Sequence, residues 1–170
     1  MDNNVSFVKN IDNLGRIVIP MDIRRKLDIC TGDSLSISVY DNNIMLTKYS
    51  SLENNNRIVN IIKSFVEEFN IKVIYMNKFN VIYSNIVNSS VELDREMKDN
   101  IKNGVSFKDE VKEYIFGEIK LKGIYNMLPI VNNEGIVGSI IVLSDSNGYD
   151  FCRLLNKIIN LELSISWYKI

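Results

Sequence analysis

Two hydrophobic periods divide the chain. Over roughly the first fifty residues, apolar positions come in short runs and alternations of the kind strands make. Val5, Phe7 and residues 8–11 predict a strand, Asp12-Asn13-Leu14-Gly15 a turn, and residues 16–19 a second strand. Pro20 has no N–H to give to a ladder and suits the first position of a helix. A helix is therefore expected over residues 21–27, with Ile23 and Leu27 four apart on one face. Thr31-Gly32-Asp33 reads as a turn. Leu35, Ile37 and Val39 then alternate with Ser34, Ser36, Ser38 and Tyr40, which predicts a strand with one buried face. Asp41-Asn42-Asn43 turns that strand into another over residues 44–48.

From residue 50 the period lengthens. Ser50 and Glu53 have capping-box spacing. Ile58, Ile61, Ile62, Phe65, Val66 and Phe69 follow at i, i+3, i+4, i+7, i+8 and i+11, the strongest helix signal in the chain. Asn54-Asn55-Asn56 falls in its first turns and reads as a frayed or flexible joint. The expected division is residues 1–50, a linking helix over 51–71, and a second domain over 72–170. In that domain Lys72–Asn77 and residues 79–85 predict two strands around a tight turn at Asn77-Lys78. Residues 89–92 have capping-box spacing ahead of Leu93, Met97 and Ile101 at i, i+4 and i+8. Residues 105–121 fit helix or strand. Residues 124–131 and 136–143 predict strands around Asn132-Asn133-Glu134-Gly135. A last helix is expected over residues 150–168. Its apolar positions Phe151, Leu154, Leu155, Ile158, Ile159, Leu161, Leu163, Ile165 and Trp167 occupy more than one face, so it is expected to pack on its own domain and on something else.

The first unit is small. Four short strands and one helix bury too little surface to be stable alone, so an obligate dimer or docking on the rest of the chain is expected.

Composition narrows the chemistry. The chain has 170 residues and contains no His, Gln or Ala. Without His there is no Ser-His-Asp or Cys-His pair, no imidazole base and no His metal ligand. Cys30 and Cys152 lack CxxC spacing, so they read as reduced thiols that pack in a cytoplasmic protein, with no structural zinc. The expectation is a non-enzyme with no metal and no cofactor. The first residues show no secretory pattern, and the longest apolar runs are too short to span a bilayer, so no membrane association is expected. The 26 Ile, 23 Asn and 14 Lys against 6 Arg match codon bias of an AT-rich genome and carry no function by themselves.

Net charge is −1, which draws the chain as a whole to no polyanion. The distribution says more. Half of the arginines, Arg16, Arg24 and Arg25, fall within ten positions, flanked by Lys9 and Lys26. Residues 1–27 hold five Lys/Arg and three Asp, whereas residues 28–50 hold one Lys and three Asp. Guanidinium is a planar fork that grips phosphate oxygens or a guanine edge with two hydrogen bonds, which ammonium does not do. The plainer reading is a solvated polar face with Asp12, Asp22 and Asp28 as partners. Glu67-Glu68 and Asp109-Glu110 read as solvated charges.

The run Val8-Lys9-Asn10-Ile11-Asp12-Asn13-Leu14-Gly15-Arg16-Ile17-Val18-Ile19-Pro20, followed by Ile23-Arg24-Arg25-Lys26-Leu27, resembles the AbrB/MazE-type swapped-hairpin DNA-binding domain. Gly32-Asp33-Ser34-Leu35 and residues 44–49 continue the likeness, which covers residues 5–50. The resemblance implies an α+β protein whose N-terminal swapped-hairpin β-barrel is an interleaved dimer. It also implies double-stranded DNA as partner, with Lys9, Arg16, Arg24 and Arg25 facing it. One departure is Asn10, where relatives with a sensor domain often have a second basic residue; Asn cannot neutralise a phosphate.

Met127-Leu128-Pro129-Ile130-Val131 and Gly135-Ile136-Val137-Gly138-Ser139-Ile140-Ile141-Val142-Leu143 resemble the closing strands of a GAF domain. That implies a C-terminal GAF-like α/β domain, a role in assembly and a small-molecule ligand. Tyr75, Phe79, Tyr83, Phe107 and Tyr125 are the pocket candidates, although core aromatics are the more ordinary reading. A head of this type on a GAF-like domain resembles regulators of spore development. The expectation is thus a cytoplasmic, sequence-specific transcription regulator and homo-oligomer. It is dimeric through the head, and tetrameric if the last helix pairs different chains. The alternative is an antitoxin-like or other protein-interaction head. Antitoxins of this fold carry a short acidic tail, whereas more than a hundred residues follow the head here.

Overall fold

The computed structural model describes residues 7–53, 55–89, 91–133, 135–144 and 147–166. Val5, Asn54, Glu134, Trp167 and Tyr168, which enter the expectations above, lie outside them. The chain forms two compact units, Met1–Tyr49 and Ser50–Ile170.

In the first unit, a six-residue helix α1 (Met21–Lys26) starts directly after Pro20. It is followed by β1 (Leu35–Tyr40) and β2 (Asn43–Lys48), an antiparallel hairpin in register from Tyr40 with Asn43 to Leu35 with Lys48. The strands expected over residues 8–11 and 16–19 do not form in the single chain. Only the turn between them closes: the Gly15 N–H donates to the Asp12 carbonyl at 2.9 Å, and the Asp12 N–H to the Arg16 carbonyl at 3.0 Å. A strand exists as half of a ladder, so an apolar run with nothing across from it is not one. The expected buried face of β1 is missing for the same reason. Ile37 is 71% exposed and Val39 75%, Val8 reaches 93%, and none of the described residues of this unit is buried.

The second unit builds a core on each face of one sheet. Its elements are α2 (Asn56–Phe69), β3 (Lys72–Asn77), β4 (Val81–Ser84), α3 (Arg95–Lys102), β5 (Phe107–Phe116), β6 (Ile119–Asn132), β7 (Gly135–Leu143) and α4 (Gly148–Ser166). The strands run in the order β4-β3-β7-β6-β5, antiparallel throughout. The central strands β3 and β7 are covered on both sides, which is why Ile74, Met76 and Ile141 face one core while Val73, Tyr75, Ile140 and Val142 face the other. The first core closes under α3 with Met97 and Ile101, and the second under α2 and α4 with Ile58, Ile62, Cys152, Leu155, Ile159 and Leu163. Each such large side chain, fully buried, contributes about 1.5–3 kcal/mol. An ion pair between Arg57 Nε and Glu162 Oε2 at 3.0 Å joins α2 to α4.

Helix starts differ from the capping-box expectations. Asn55 caps α2, its Oδ1 accepting from the Ile58 N–H at 3.2 Å, and Ser50 lies in a turn ahead of the helix. Asp94 caps α3, its Oδ1 accepting from the Met97 N–H at 2.7 Å. The residues around Glu92 instead make isolated bridges, Asn80 with Glu92 and Leu93 with Phe116. Within residues 105–121, which fit either element, Phe107–Phe116 is strand and β6 begins at Ile119. The β5–β6 hairpin turns at Gly117 (φ +62°), and β5 alternates buried and exposed positions as an edge strand should.

Candidate nucleic-acid interface

Arg16 is held at the end of the turn it closes. Asp12 Oδ1 accepts the backbone N–H groups of Leu14 and Arg16, both at 2.9 Å, and its Oδ2 accepts from Arg16 Nε at 2.7 Å. The backbone N–H of Arg16 first, and its guanidinium second, hold the Asp12 carboxyl below its ordinary range. Asp12 is thus a partner of Arg16, as the plain polar-face reading supposed. The contact with the carboxylate is made through Nε. The Arg16 side chain is 72% exposed. Lys9, ahead of the turn, is exposed too.

Arg24 and Arg25 are adjacent on α1, a separate element. Arg25 is exposed; Arg24 is half-buried, and its Nε is covered by protein with no hydrogen-bond partner. The helix carries Asp22 in its first turn and Arg24, Arg25 and Lys26 in its last, which suits the direction of its dipole. Two backbone bonds anchor Arg24, its N–H to the Pro20 carbonyl at 3.0 Å and its carbonyl to the Ile29 N–H at 2.7 Å. Cys30 is exposed and not a packing residue. Its N–H donates to Asp33 Oδ2 at 2.8 Å.

The aromatic residues considered for a ligand are divided between the two faces of the sheet. Tyr75 is fully buried in the core under α2 and α4, with Tyr83 packed against it. Phe107 and Tyr125 belong to the core under α3. Phe79 lies half-buried in the turn between β3 and β4. Burial pushes the Tyr75 hydroxyl up, and it has no hydrogen-bond partner. Tyr125 donates its hydroxyl to the Leu121 carbonyl at 2.7 Å, and burial raises it to about 12. Sequence reading did not single out a small cleft of about 230 Å³ at the end of the sheet, lined by Asn70, Ile71, Lys72, Lys122, Ile124 and Ser144. No periodicity signals a space left between strand ends. Among the described residues, no group of three or more acidic or Cys side chains could hold a metal, and no helix is long and apolar enough to cross a membrane.

The family described as "Antidote-toxin recognition MazE, bacterial antitoxin" matches residues 8–54. Over 46 residues the chain is 46% identical to the transition state regulatory protein AbrB of Bacillus subtilis (strain 168), a match covering 27% of this chain and 48% of that protein. It is 44% identical over 46 residues to the putative transition state regulator Abh of the same organism, covering 27% and 50%. It is 52% identical over 46 residues to stage V sporulation protein T of that organism, covering 26% of each. The chain thus spans half or less of each relative's length. Among solved structures, an E. coli DhaR(N)-DhaL complex aligns with a TM-score of 0.40 at 16% identity, covering 54% of this chain and 37% of that one. The N-terminal unit, with its Asp12–Arg16 turn and α1 arginines, is a domain of the MazE/AbrB type.

Proposed function

We propose that the chain is a sequence-specific DNA-binding transcription regulator of sporulation genes, acting as a homo-oligomer. The observation that carries this is the Asp12–Arg16 turn: an aspartate spends its oxygens on holding an exposed guanidinium by Nε, inside the segment most similar to named regulators. Lys9, Arg16, Arg24 and Arg25 face the DNA. Phosphate contacts supply affinity, and the arginine forks together with DNA shape supply sequence preference, because α1 is too short to lie along a groove as a recognition helix.

The head works as an interleaved pair of chains. Its support is the exposure of Val8, Ile17, Ile37, Val39 and Ile44, an apolar set that one chain leaves in water. The second unit is GAF-like and serves assembly and ligand sensing. On α4, Leu154, Ile158, Leu161 and Ile165 recur at spacings of 4, 3 and 4 on the face turned away from the core, the spacing of a helix–helix seam. Pairing different chains there makes a tetramer of two swapped heads.

Fluorescence anisotropy on duplex DNA against salt tests the DNA reading, for the parent, Arg16→Ala and Arg24→Ala. The parent should lose affinity steeply with salt. Each substitution should lower the log–log slope by about 2 for a two-chain head. Binding that ignores salt and both substitutions rejects the reading. A second reading, a head that neutralises a toxin, rests on the description of the matching family. It would be favoured by a parent that binds no DNA.

A further inference from the structure

The chain does not pass loosely into the second unit. Residues 50–53 fold into a turn, with the Glu53 N–H donating to the Ser50 carbonyl at 3.3 Å and the Leu52 N–H to Ser50 Oγ at 3.3 Å. Leu52 is fully buried and belongs to the core under α2 and α4. Its socket depends on a missing side chain. A Cβ at Gly138 would sit 2.6 Å from Leu52 Cδ1 and would collide with the Met76 carbonyl oxygen. On either side of Leu52 is a polar tie. Asn77 Nδ2 donates to Glu53 Oε1 at 2.8 Å, and Asn132 Nδ2 to Ser51 Oγ at 3.3 Å. Asn77 is itself fully buried, and its Oδ1 accepts the N–H groups of Phe79 and Asn80 at 2.7 and 2.8 Å. The tie therefore runs from the turn between β3 and β4 into the segment that leads to the head. Asn132 ends β6 at the turn into β7, and Asn77 pairs with Gly138, so both ties lie at the same end of the sheet.

We propose that residues 50–53 are a docked strap, and that Leu52 is a positioning residue for DNA binding. While Leu52 is seated, the free tether between the two units is the peptide link from Tyr49 to Ser50. Released, residues 50–55 become a tether of six residues, able to span about 20 Å. A short tether confines where each head can go, and confinement raises the effective concentration of a second head at a second DNA site. The state of the β3–β4 turn then decides how tightly the heads are held. The DNA half of this proposal rests on the reading under Proposed function; the mechanical half does not.

Full-length parent, Leu52→Ser and Glu53→Ala test it with two readouts. The first needs no DNA. A spin label on the exposed Cys30 and another on an introduced Lys157→Cys, in labelled chains diluted with unlabelled ones, report the distance between the units. Leu52→Ser should give a broader distribution than the parent. Amides of residues 50–53 should exchange at least about tenfold faster in the variant. The second readout is affinity for duplex DNA carrying two sites. It should fall at least about fivefold in Leu52→Ser, with its salt slope unchanged because the head's contacts are untouched. Parent amides of residues 50–53 that exchange freely, or a distribution no broader in Leu52→Ser than in the parent, overturn the strap. A broad distribution in the variant with undiminished affinity overturns the positioning role. A parent that binds no DNA overturns the functional reading and the positioning role, and leaves the strap to be decided by the first readout. If Leu52→Ser does not fold, Glu53→Ala decides each point, since Glu53 is exposed and its loss removes only the tie to Asn77.

Discussion

Asp12 holds Arg16 twice, by the backbone N–H at 2.9 Å and by Nε at 2.7 Å, four residues apart across one turn. The carboxylate therefore shapes the turn and aims the guanidinium with the same pair of oxygens. Asp12→Asn keeps an acceptor for the backbone but loses the charge that grips Nε. It should weaken DNA binding about 3–10-fold at low salt while leaving the thermal unfolding of the second unit unchanged. Anisotropy and calorimetry on the same samples check this.

The pH dependence of that turn has a definite sign. The Asp12 carboxyl is more acidic folded than unfolded, so its contribution is present above the unfolded value near 3.8 and is lost as pH falls through the lower folded one. Between pH 8 and 5 the Asp12–Arg16 contact should persist. It should dissolve only once pH falls below 3.8 and through the lower folded value, seen as a change in the Arg16 Nε–H resonance.

Alkali should act on the second unit in the opposite direction. Burial, before any other cause, raises Tyr114 and Tyr125 from 10 to about 12. Between those values the unfolded chain loses protons that the folded chain keeps, so stability is whole below pH 10 and falls as pH rises toward 12. Denaturant midpoints measured from pH 8 to 11.5 should stay level to about pH 10 and then decline.

The two cysteines should be distinguishable. Cys152 is buried, its thiol lies 3.3 Å from the Asn126 carbonyl oxygen, and burial raises it to about 12, whereas Cys30 is exposed. A thiol reagent at pH 8 should modify Cys30 within minutes and reach Cys152 only after denaturation. Peptide mapping reads this directly.

Two substitutions on α4 should separate folding from assembly. Ile159→Ala removes a fully buried side chain and should cost about 2–5 kcal/mol in chemical denaturation. Leu161→Glu places a charge on a residue 60% exposed, so it should leave that stability nearly unchanged and lower the mass found by light scattering. An unchanged mass would count against the α4 seam.

Much of the second unit was legible in the chain. Ile58, Ile61, Ile62, Phe65 and Val66 have helical spacing, and α2 spans them. Lys72–Asn77 is a strand with the bounds that its apolar run predicts. The caps are not legible from spacing, which cannot tell a Ser50–Glu53 box from a turn. Asn55 and Asp94 outcompeted the Ser candidates where the backbone turned. Residues 105–121 stayed ambiguous because an edge strand with one exposed face carries the charges of a solvated helix. For the candidate interface, the arginine cluster was visible as composition, but the grip of Asp12 on Arg16 Nε needed coordinates.

By itself the sequence determined which segments can be helix or strand, where the basic charge gathers, and that no imidazole chemistry is available. Those properties follow from residue types and their spacing along one chain. The tertiary structure decided the rest. It put Tyr75 and Tyr125 on opposite faces of one sheet, left residues 8–11 and 16–19 without ladders in a single chain, and seated Leu52 against Gly138. Pairing, facing and docking depend on residues distant in sequence, and a local pattern holds no record of what lies across from it.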